Sequence, residues 1–274
     1  MRKLIVLAFT VAALGVAALA PAASAWAPAA SASVHPGVMT FTSGAQCTSN
    51  FVFDDGSNVY LGQAAHCSGT GAATDTNGCT SQSLPIGTPV DVTGASKPGT
   101  LVYNSWLTMQ GKGETNPDTC AYNDLALVKI DPADVGKVNP SVPGFGGPTG
   151  VGTVGGLGST VYSYGNSELR GGVSKLSPKQ GVVVQNQGNG WSHNVYTLTP
   201  GIPGDSGSGF MNGSGKAIGV LSTLDILPTA GSNGVGDVGK EIAYMHANSS
   251  FASAQLVPGT QPFNPSLVGA IGGA

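Results

Sequence analysis

Three short strings in this 274-residue chain place a histidine, an aspartate and a serine, in that order, among distinctive neighbours. The strings are Ala-Ala-His-Cys around His66, Asn-Asp-Leu-Ala-Leu around Asp124 and Gly-Asp-Ser-Gly around Ser206. A serine hydroxyl is a poor nucleophile at neutral pH. It becomes reactive when an imidazole takes its proton and a carboxylate holds that imidazole in the correct tautomer. The chain therefore carries the residue types of nucleophilic serine catalysis, provided that the three side chains meet in space.

The local sequence indicates how the chain would position these side chains. His66 ends an apolar, strand-like run, and Asp124 directly precedes another one. Asp118 and Asp131 are the nearby alternatives for the acid, but neither of them precedes an apolar strand in this way. The glycines that flank Ser206 permit a tight turn in which backbone N–H groups converge. We therefore expect His66 and Asp124 at strand ends and Ser206 in a turn.

These strings, and with them residues 38–247, resemble the secreted bacterial members of the chymotrypsin/trypsin-like serine protease family. The resemblance implies that His66 serves as general base toward Ser206 and then as general acid toward the departing amine, with Asp124 holding the imidazole. It implies an oxyanion hole made by the backbone amides of Gly204 and Ser206. It also implies an all-β fold of two packed six-stranded antiparallel β-barrels, followed by a short C-terminal helix.

On this basis the chain is predicted to be a secreted serine endopeptidase that hydrolyses polypeptides through an acyl-enzyme intermediate, with no cofactor and no metal. A catalytically inactive binding or adhesive protein of the same fold is the first alternative, but the complete set of three residues argues against it. A lipase or esterase of the α/β-hydrolase class is the second alternative. That class needs Gly-x-Ser-x-Gly, and position 208 is serine rather than glycine.

Substrate preference is predicted from the residues that align with the P1 pocket, which receives the side chain preceding the cleaved bond. In the family that the chain resembles, an aspartate six residues before the nucleophile selects Arg or Lys. Pro200 occupies that position here, so specificity for Arg or Lys is not expected. Ser222, Thr223 and Leu224 align with the strand that pairs with the substrate backbone. Leu224 replaces a common glycine and should narrow the pocket entrance, which favours small or medium apolar P1 residues.

The carboxylate that precedes the nucleophile, Asp205, needs a positively charged partner in this family. No Ile-Val-Gly-Gly-like start is visible that could supply a new amino terminus by trimming. Secreted bacterial relatives can satisfy the same carboxylate with an arginine. Arg170 is the single arginine outside the N-terminal leader and is therefore a candidate partner of Asp205. We expect an enzyme that is competent once the leader is removed.

Four cysteines in an exported protein suggest two disulfides, and the sequence alone allows three pairings. The resemblance implies a bond from Cys47 to Cys67 that braces the histidine loop, which leaves Cys79 to pair with Cys120. A zinc site built from these cysteines and His66 is the alternative, although no Cys-x-x-Cys spacing is present.

The N-terminus has the composition of an export signal. Arg2 and Lys3 precede an uncharged apolar run over residues 4–20, and two small-residue cleavage sites follow, ending at Ala25 and Ala32. A membrane anchor is the alternative, but the run is short for a span. Charged residues make up 9% of the chain and the net charge is −3, so neither nucleic acid nor an anionic surface is indicated as a partner. We expect an extracellular monomer, free of the membrane after leader removal.

The chain is predicted to divide at composition changes, with a linker rich in proline and glycine between two sets of strands. The segments are the leader (1–32), an N-terminal barrel with His66 and Asp124 (33–135), the linker (136–150), a C-terminal barrel with Ser206 (151–237), a helix (238–250) and a tail (251–274). Strands are predicted at 51–53, 59–61, 88–92, 100–110, 125–130, 159–164, 181–187, 194–199, 209–211 and 217–221, and a helix at 238–248.

Overall fold

A computed structural model describes residues 26–72, 74–224 and 230–273, so the predicted leader up to Ala25 lies outside the described residues. The strands are β1 (Met39–Thr42), β2 (Ala45–Thr48), β3 (Val52–Asp54), β4 (Val59–Ala64), β5 (Pro89–Val92), β6 (Gly99–Asn104), β7 (Leu125–Lys129), β8 (Thr160–Tyr164), β9 (Pro178–Gln187), β10 (Ser192–Leu198), β11 (Gly209–Asn212), β12 (Ala217–Leu224), β13 (Asn233–Asp237) and β14 (Gln255–Leu256). The α-helices are α1 (Ser105–Lys112), α2 (Pro117–Tyr122), α3 (Val238–Asn248) and α4 (Leu267–Gly272). Within these described ranges, no helix is long and apolar enough to cross a bilayer.

Two antiparallel sheets dominate the structure, which confirms the predicted all-β class. Strands β8 to β13 form a closed barrel in the order β10-β13-β12-β11-β8-β9. The other eight strands form one sheet in the order β14-β3-β4-β7-β6-β5-β1-β2, which differs from the predicted six-stranded N-terminal barrel because it does not close. Strand β14 forms one edge of this sheet and pairs with β3. At the other edge, the Thr48 N–H at the end of β2 donates to the Ser206 carbonyl (2.8 Å).

The predicted strand over residues 100–110 is correct up to Asn104, which ends β6, and wrong beyond it, because helix α1 begins at Ser105. The Asn104 side chain accepts two N–H groups of the first helical turn, which is an N-cap. Gly113 ends the helix in the left-handed conformation, with φ at 66°. Trp106 and Met109 are buried. Apolar residues that suggest a strand therefore form one face of a helix instead.

The two halves share one apolar core beneath helix α3. Phe51, Tyr60 and Leu125 from the first half cluster with Met211 and Val220 from the closed barrel. Helix α3, whose bounds confirm the predicted helix at 238–248, contributes three buried apolar side chains: Val238, Ile242 and Met245. This packing fixes the helix directly against both halves.

The C-terminal residues wrap back over the connection between the halves, a contact for which the sequence gives no signal. Phe263 packs edge-on against Tyr162 of β8, with ring centroids 5.4 Å apart. Three backbone hydrogen bonds add to this contact: Gly147 N–H to the Gln261 carbonyl (3.0 Å), Gly259 N–H to the Pro148 carbonyl (2.8 Å) and Asn264 N–H to the Phe145 carbonyl (2.7 Å). The tail is therefore an integral part of the fold.

Candidate active site

The pairing of β4 with β7 brings His66 and Asp124 together. Ala64 lies opposite Leu125 in this antiparallel ladder, so the residues that follow β4 meet the residue that precedes β7. The Ala65 N–H donates to the Asp124 carbonyl (2.8 Å). His66 makes two hydrogen bonds to the Asp124 carboxylate, from its backbone N–H to Oδ1 (2.9 Å) and between Nδ1 and Oδ2 (2.6 Å). The carboxylate thus favours the tautomer that carries its proton on Nδ1.

The proton affinity of His66 depends on this carboxylate. The Asp124 side chain is 7% exposed and the His66 side chain is 25% exposed. Burial lowers the pKa of His66, but the charge of Asp124 and the hydrogen bond to it outweigh burial and raise the pKa above its ordinary value. His66 is therefore a stronger base than free imidazole.

Ser206 lies in a tight turn between β10 and β11. Gly204 and Gly207, on either side of it, have φ values of 95° and 88°, in the left-handed region that favours glycine. Two backbone hydrogen bonds close the turn: Asp205 N–H to the Ile202 carbonyl (2.9 Å) and Ser208 N–H to the Asp205 carbonyl (3.0 Å). The turn leaves Ser206 half-buried.

Gly207 allows this turn to approach the first sheet closely. A Cβ at Gly207 would stand 2.6 Å from the Thr48 carbonyl oxygen and 2.8 Å from the Ala64 nitrogen, so no larger residue fits there. The turn that carries Ser206 thereby lies beside the end of β4, and this strand ends at Ala64, two residues before His66. Among the described residues, no hydrogen bond joins the Ser206 hydroxyl to His66. The structure thus brings the acid and the imidazole into contact, whereas the Ser206 hydroxyl makes no hydrogen bond to a described residue.

Two backbone N–H groups at the predicted oxyanion hole are also unpaired. In the part of the chain that the structure describes, the Gly207 N–H donates to a carbonyl, whereas those of Gly204 and Ser206 donate to none. The Pro203 carbonyl belongs to the same peptide unit as the Gly204 N–H, and it accepts the Ser167 hydroxyl (2.5 Å). This bond holds the orientation of that peptide unit, and the Gly204 and Ser206 N–H groups remain without a partner among the described residues.

Asp205 is fully buried and contacts two cations through one oxygen, Oδ2. These cations are Arg170, the candidate from the sequence, and Lys179, whose Nζ lies 3.0 Å away. Both also donate to the Pro200 carbonyl, at 3.2 Å and 3.4 Å respectively. Burial lowers the pKa of Lys179 to about 8, with Asp205 opposing this shift and Arg170 adding to it. The cluster ties the turn that holds Ser206 to the predicted floor of the P1 pocket.

Both disulfides lie next to the candidate catalytic residues. Cys47 bonds to Cys67, which joins β2 to the histidine turn, and Cys79 bonds to Cys120 of α2, which ends just before the aspartate string. The first bond is the one that the resemblance implies, and the second is the pair that remains by elimination. The Cys47 and Cys67 sulfurs and a His66 ring nitrogen all lie within 4.8 Å of one another. Disulfide sulfurs are not thiolates, however, so this group does not fit the zinc alternative.

The predicted specificity residues lie near a buried asparagine that the sequence analysis missed. Three of them end strand β12: Ser222, Thr223 and Leu224. Residues 225–229 lie outside the described residues. Asn233, at the start of β13, accepts the Gly201 N–H (2.8 Å) and donates to the Gly201 and Thr223 carbonyls (3.2 and 3.3 Å). Its side chain therefore bridges the segment that follows Pro200 and the strand that carries Thr223.

A buried glutamate lies directly behind Asp124. Glu241 on α3 is 0% exposed, and its Oε1 accepts the Asp124 backbone N–H (2.8 Å). It shares the buried face of α3 with Val238, Ile242 and Met245, at the i, i+3, i+4, i+7 spacing of an apolar stripe. An acidic residue within such a stripe is a signal that could have identified Glu241. Nothing comparable in the sequence marks Lys179.

Solved structures with the same fold include two bacterial proteases. The crystal structure of Thermobifida fusca protease A matches with a TM-score of 0.52 and 20% identity, covering 82% of this chain and 99% of that one. Cellulomonas bogoriensis chymotrypsin matches with a TM-score of 0.50 and 17% identity, covering 82% and 98%. The chain therefore has the fold of the chymotrypsin-like serine proteases, and at such identities the likeness concerns the fold alone. No protein-family model and no curated protein matches the sequence.

Proposed function

We propose that the chain is a secreted serine endopeptidase that is not specific for Arg or Lys. The supporting observation is the hydrogen-bonded pair of His66 and Asp124, set beside a turn in which Ser206 adjoins unpaired backbone N–H groups. An inactive binding protein of the same fold is the second candidate. It is favoured by the lack, among the described residues, of a hydrogen bond between Ser206 and His66. Catalytic hydrogen bonds are often long until substrate binds, so we prefer the enzyme.

In the proposed reaction, Ser206 Oγ attacks the peptide carbonyl carbon while His66 Nε2 takes the hydroxyl proton. Asp124 stabilises the resulting imidazolium, and the N–H groups of Gly204 and Ser206 donate to the negative oxygen of the tetrahedral intermediate. His66 then gives its proton to the departing amine. Water attacks the acyl-enzyme by the same route, which releases the acid and returns the proton to Ser206.

Covalent labelling with a fluorophosphonate tests the proposal, because an activated serine displaces fluoride and becomes phosphonylated. We expect peptide mass spectrometry to find the label on Ser206 and expect Ser206→Ala to remain unlabelled. Ser208→Ala is the matched control, since Ser208 is buried two residues further on and its hydroxyl has no partner among the described residues. A folded wild-type protein that resists the reagent and leaves an unfolded protein substrate intact would be the inactive binding protein.

The proposed activity is expected to fall as the pH decreases and His66 takes up a proton. Only the neutral imidazole can act as a base, and Asp124 raises the pKa of His66 above the ordinary value of about 6.5. The midpoint of the acid limb of kcat/KM should therefore lie above that value. Initial rates of peptide hydrolysis measured from about pH 5 to about pH 9 determine this midpoint. A flat profile up to about pH 8 contradicts the role of His66.

Asn233 is proposed to make the P1 pocket shallow. A side chain that hydrogen-bonds both Gly201 and Thr223 fills the space between the segments to which they belong. Asn233→Ala should raise the kcat/KM ratio of a P1 phenylalanine substrate to a P1 alanine substrate by about tenfold or more. Asn248→Ala is the control, because its amide reaches only the Tyr244 carbonyl (3.0 Å) one turn back on α3. An unchanged ratio would place the determinant elsewhere.

We propose that the leader is cut after Ala25 rather than Ala32. The Ala27 N–H donates to the Val138 carbonyl (2.9 Å), and the Asn139 amide donates to the Ala27 carbonyl (2.6 Å). Cleavage after Ala32 would remove both bonds from the folded protein. N-terminal sequencing of the secreted protein should begin at Trp26, and a start at Ser33 would contradict this site.

A further inference from the structure

Glu241 combines complete burial with a shortage of partners. Its Oε1 accepts the Asp124 backbone N–H, while its Oε2 is buried and has no hydrogen-bond partner among the described residues. The side chain approaches β13 closely, since a Cβ at Gly236 would stand 2.7 Å from Oε1. A buried carboxylate normally accepts several hydrogen bonds or pairs with a cation. Glu241 has one such bond.

The charges around Glu241 disfavour an ionised side chain. Asp124 and Asp237 are the acids whose charges act on it, and the Tyr103 phenol is near enough for the two groups to interact electrostatically. Within the described ranges no Lys, Arg or His lies within ion-pair distance of Glu241, and the neighbouring Lys240 ammonium sits over the Trp191 ring instead (5.6 Å). Burial raises the pKa of Glu241 well above its ordinary value. The hydrogen bond from Asp124 opposes this rise, and the charges of Asp124 and Asp237 add to it.

We propose that Glu241 is a positioning residue held as the neutral carboxylic acid, which anchors the Asp124 backbone without adding a second negative charge behind the His66–Asp124 pair. The inference rests on the proposed function, because it concerns the base of that reaction. Both backbone polar groups of Asp124 are hydrogen-bonded: its N–H donates to Glu241, and its carbonyl accepts the Ala65 N–H. Both anchors fix the carboxylate that orients the imidazole, and small displacements of such groups are costly for turnover.

Neutrality matters because the imidazole has to lose its proton to act. An ionised Glu241 would add to the charge of Asp124, raise the pKa of His66 further and keep the base protonated at neutral pH. The neutral acid supplies the same backbone anchor without this effect. His193 is no counter-ion for Glu241, because it pairs with Asp237 (3.3 Å) and with the Asn186 side chain (2.8 Å).

The test compares Glu241→Gln with the wild-type protein by NMR titration of the His66 imidazole. Glutamine keeps the Oε1 acceptor and is always neutral. We expect the His66 pKa to agree within about 0.3 pH unit in the two proteins, and the acid limb of kcat/KM to stay in place. A fall of about one unit or more in the Gln variant would show that wild-type Glu241 is ionised and would overturn the proposal. The titration needs no turnover, so it remains decisive even if labelling shows that the protein is not a protease.

Glu241→Ala separates positioning from charge. Loss of the Oε1 acceptor should lower kcat by about tenfold to about a hundredfold with little change in KM, whereas Glu241→Gln should retain kcat within about threefold. Equal losses in both variants would contradict a neutral anchor. Should neither variant fold, infrared spectroscopy of the wild-type protein at pH 7 decides: a carboxylic-acid C=O band supports the proposal, and its absence refutes it.

The stability of the Gln variant provides a further check with a definite sign. A buried acid whose pKa is raised keeps its proton in the folded state, so stability is lost as the pH rises from the unfolded pKa toward the folded one. Glutamine has no proton to lose. The melting temperature of Glu241→Gln should therefore exceed that of the wild type by more at pH 8 than at pH 5, and a gap that narrows or reverses would contradict the proposal.

Discussion

Asp124→Asn is expected to lower kcat for peptide hydrolysis by about ten-thousand-fold while leaving the fold intact. The variant loses the charge that raises the pKa of His66. An asparagine amide that donates to Nδ1 would also leave the imidazole proton on Nε2, the nitrogen that has to accept the proton of Ser206. Steady-state kinetics with a peptide substrate, together with NMR observation of the His66 ring, measures both effects.

Asp131→Asn is the matched control for this experiment. Asp131 is the other aspartate close to the same strand, and its only cationic contact in the described residues is a 4.0 Å approach to Lys97. Its replacement should leave kcat within about twofold, because exposed pairs of this kind contribute little. A wild-type rate in Asp124→Asn, or a comparable loss in Asp131→Asn, would remove the acid from the proposed mechanism.

Asp205→Asn is expected to produce the largest loss of stability. It leaves Arg170 and Lys179, whose side chains are 8% and 0% exposed, without the carboxylate that they share. Removing one member of a buried ion pair costs about 3–5 kcal/mol. Loosening of the adjacent amides should also slow phosphonylation of Ser206 by about a hundredfold or more. Urea unfolding and labelling kinetics measure the two losses.

Lys179→Met provides the internal control for the charge argument. In this variant Arg170 and Asp205 remain as a balanced pair, so the loss of stability should be smaller than in Asp205→Asn. The double variant should lose less than the sum of the two single losses, since the methionine removes one of the two stranded cations. An Asp205→Asn protein within about 1 kcal/mol of the wild type would mean that the buried cations need no carboxylate.

Local strings predicted the pairing of His66 with Asp124 but not the residues that surround the site. His66, Asp124 and Ser206 each lie in a string whose neighbouring residues determine the local backbone. Gly207 is an example, because only glycine lets the turn that carries Ser206 approach Thr48 and Ala64 so closely. The resemblance supplied the Cys47–Cys67 disulfide, and elimination supplied the Cys79–Cys120 pair. Lys179 and Glu241 were missed because burial of a charged side chain depends on what packs over it, and Lys179 sits at the start of a strand with no unusual pattern.

The fold was predictable where periodicity was strong. Helix α3 has a clear apolar stripe, and its bounds agree with the prediction. Strand β13 was missed because its glycines carry no strand signal. The error at residues 105–110 has a different cause, since an N-cap from Asn104 overrides apolar residues that suit either a strand or a helix. The first sheet has eight strands in an open order, and β14 from the tail, for which no strand was predicted, supplies one of its edges.

Under the proposed function the protein would be exposed to cleavage by other copies of itself, and the contact of the tail with the connection between the two halves bears on that self-digestion. Long connections rich in glycine and proline are the places where a protease cuts a folded chain, because they open locally. Here the Gly147 N–H and the Phe145 and Pro148 carbonyls are already bonded to residues 259–264. Another copy of the proposed protease can therefore cut this connection only after residues 259–264 have detached from it. Self-digestion at this place thus requires a separate local opening step.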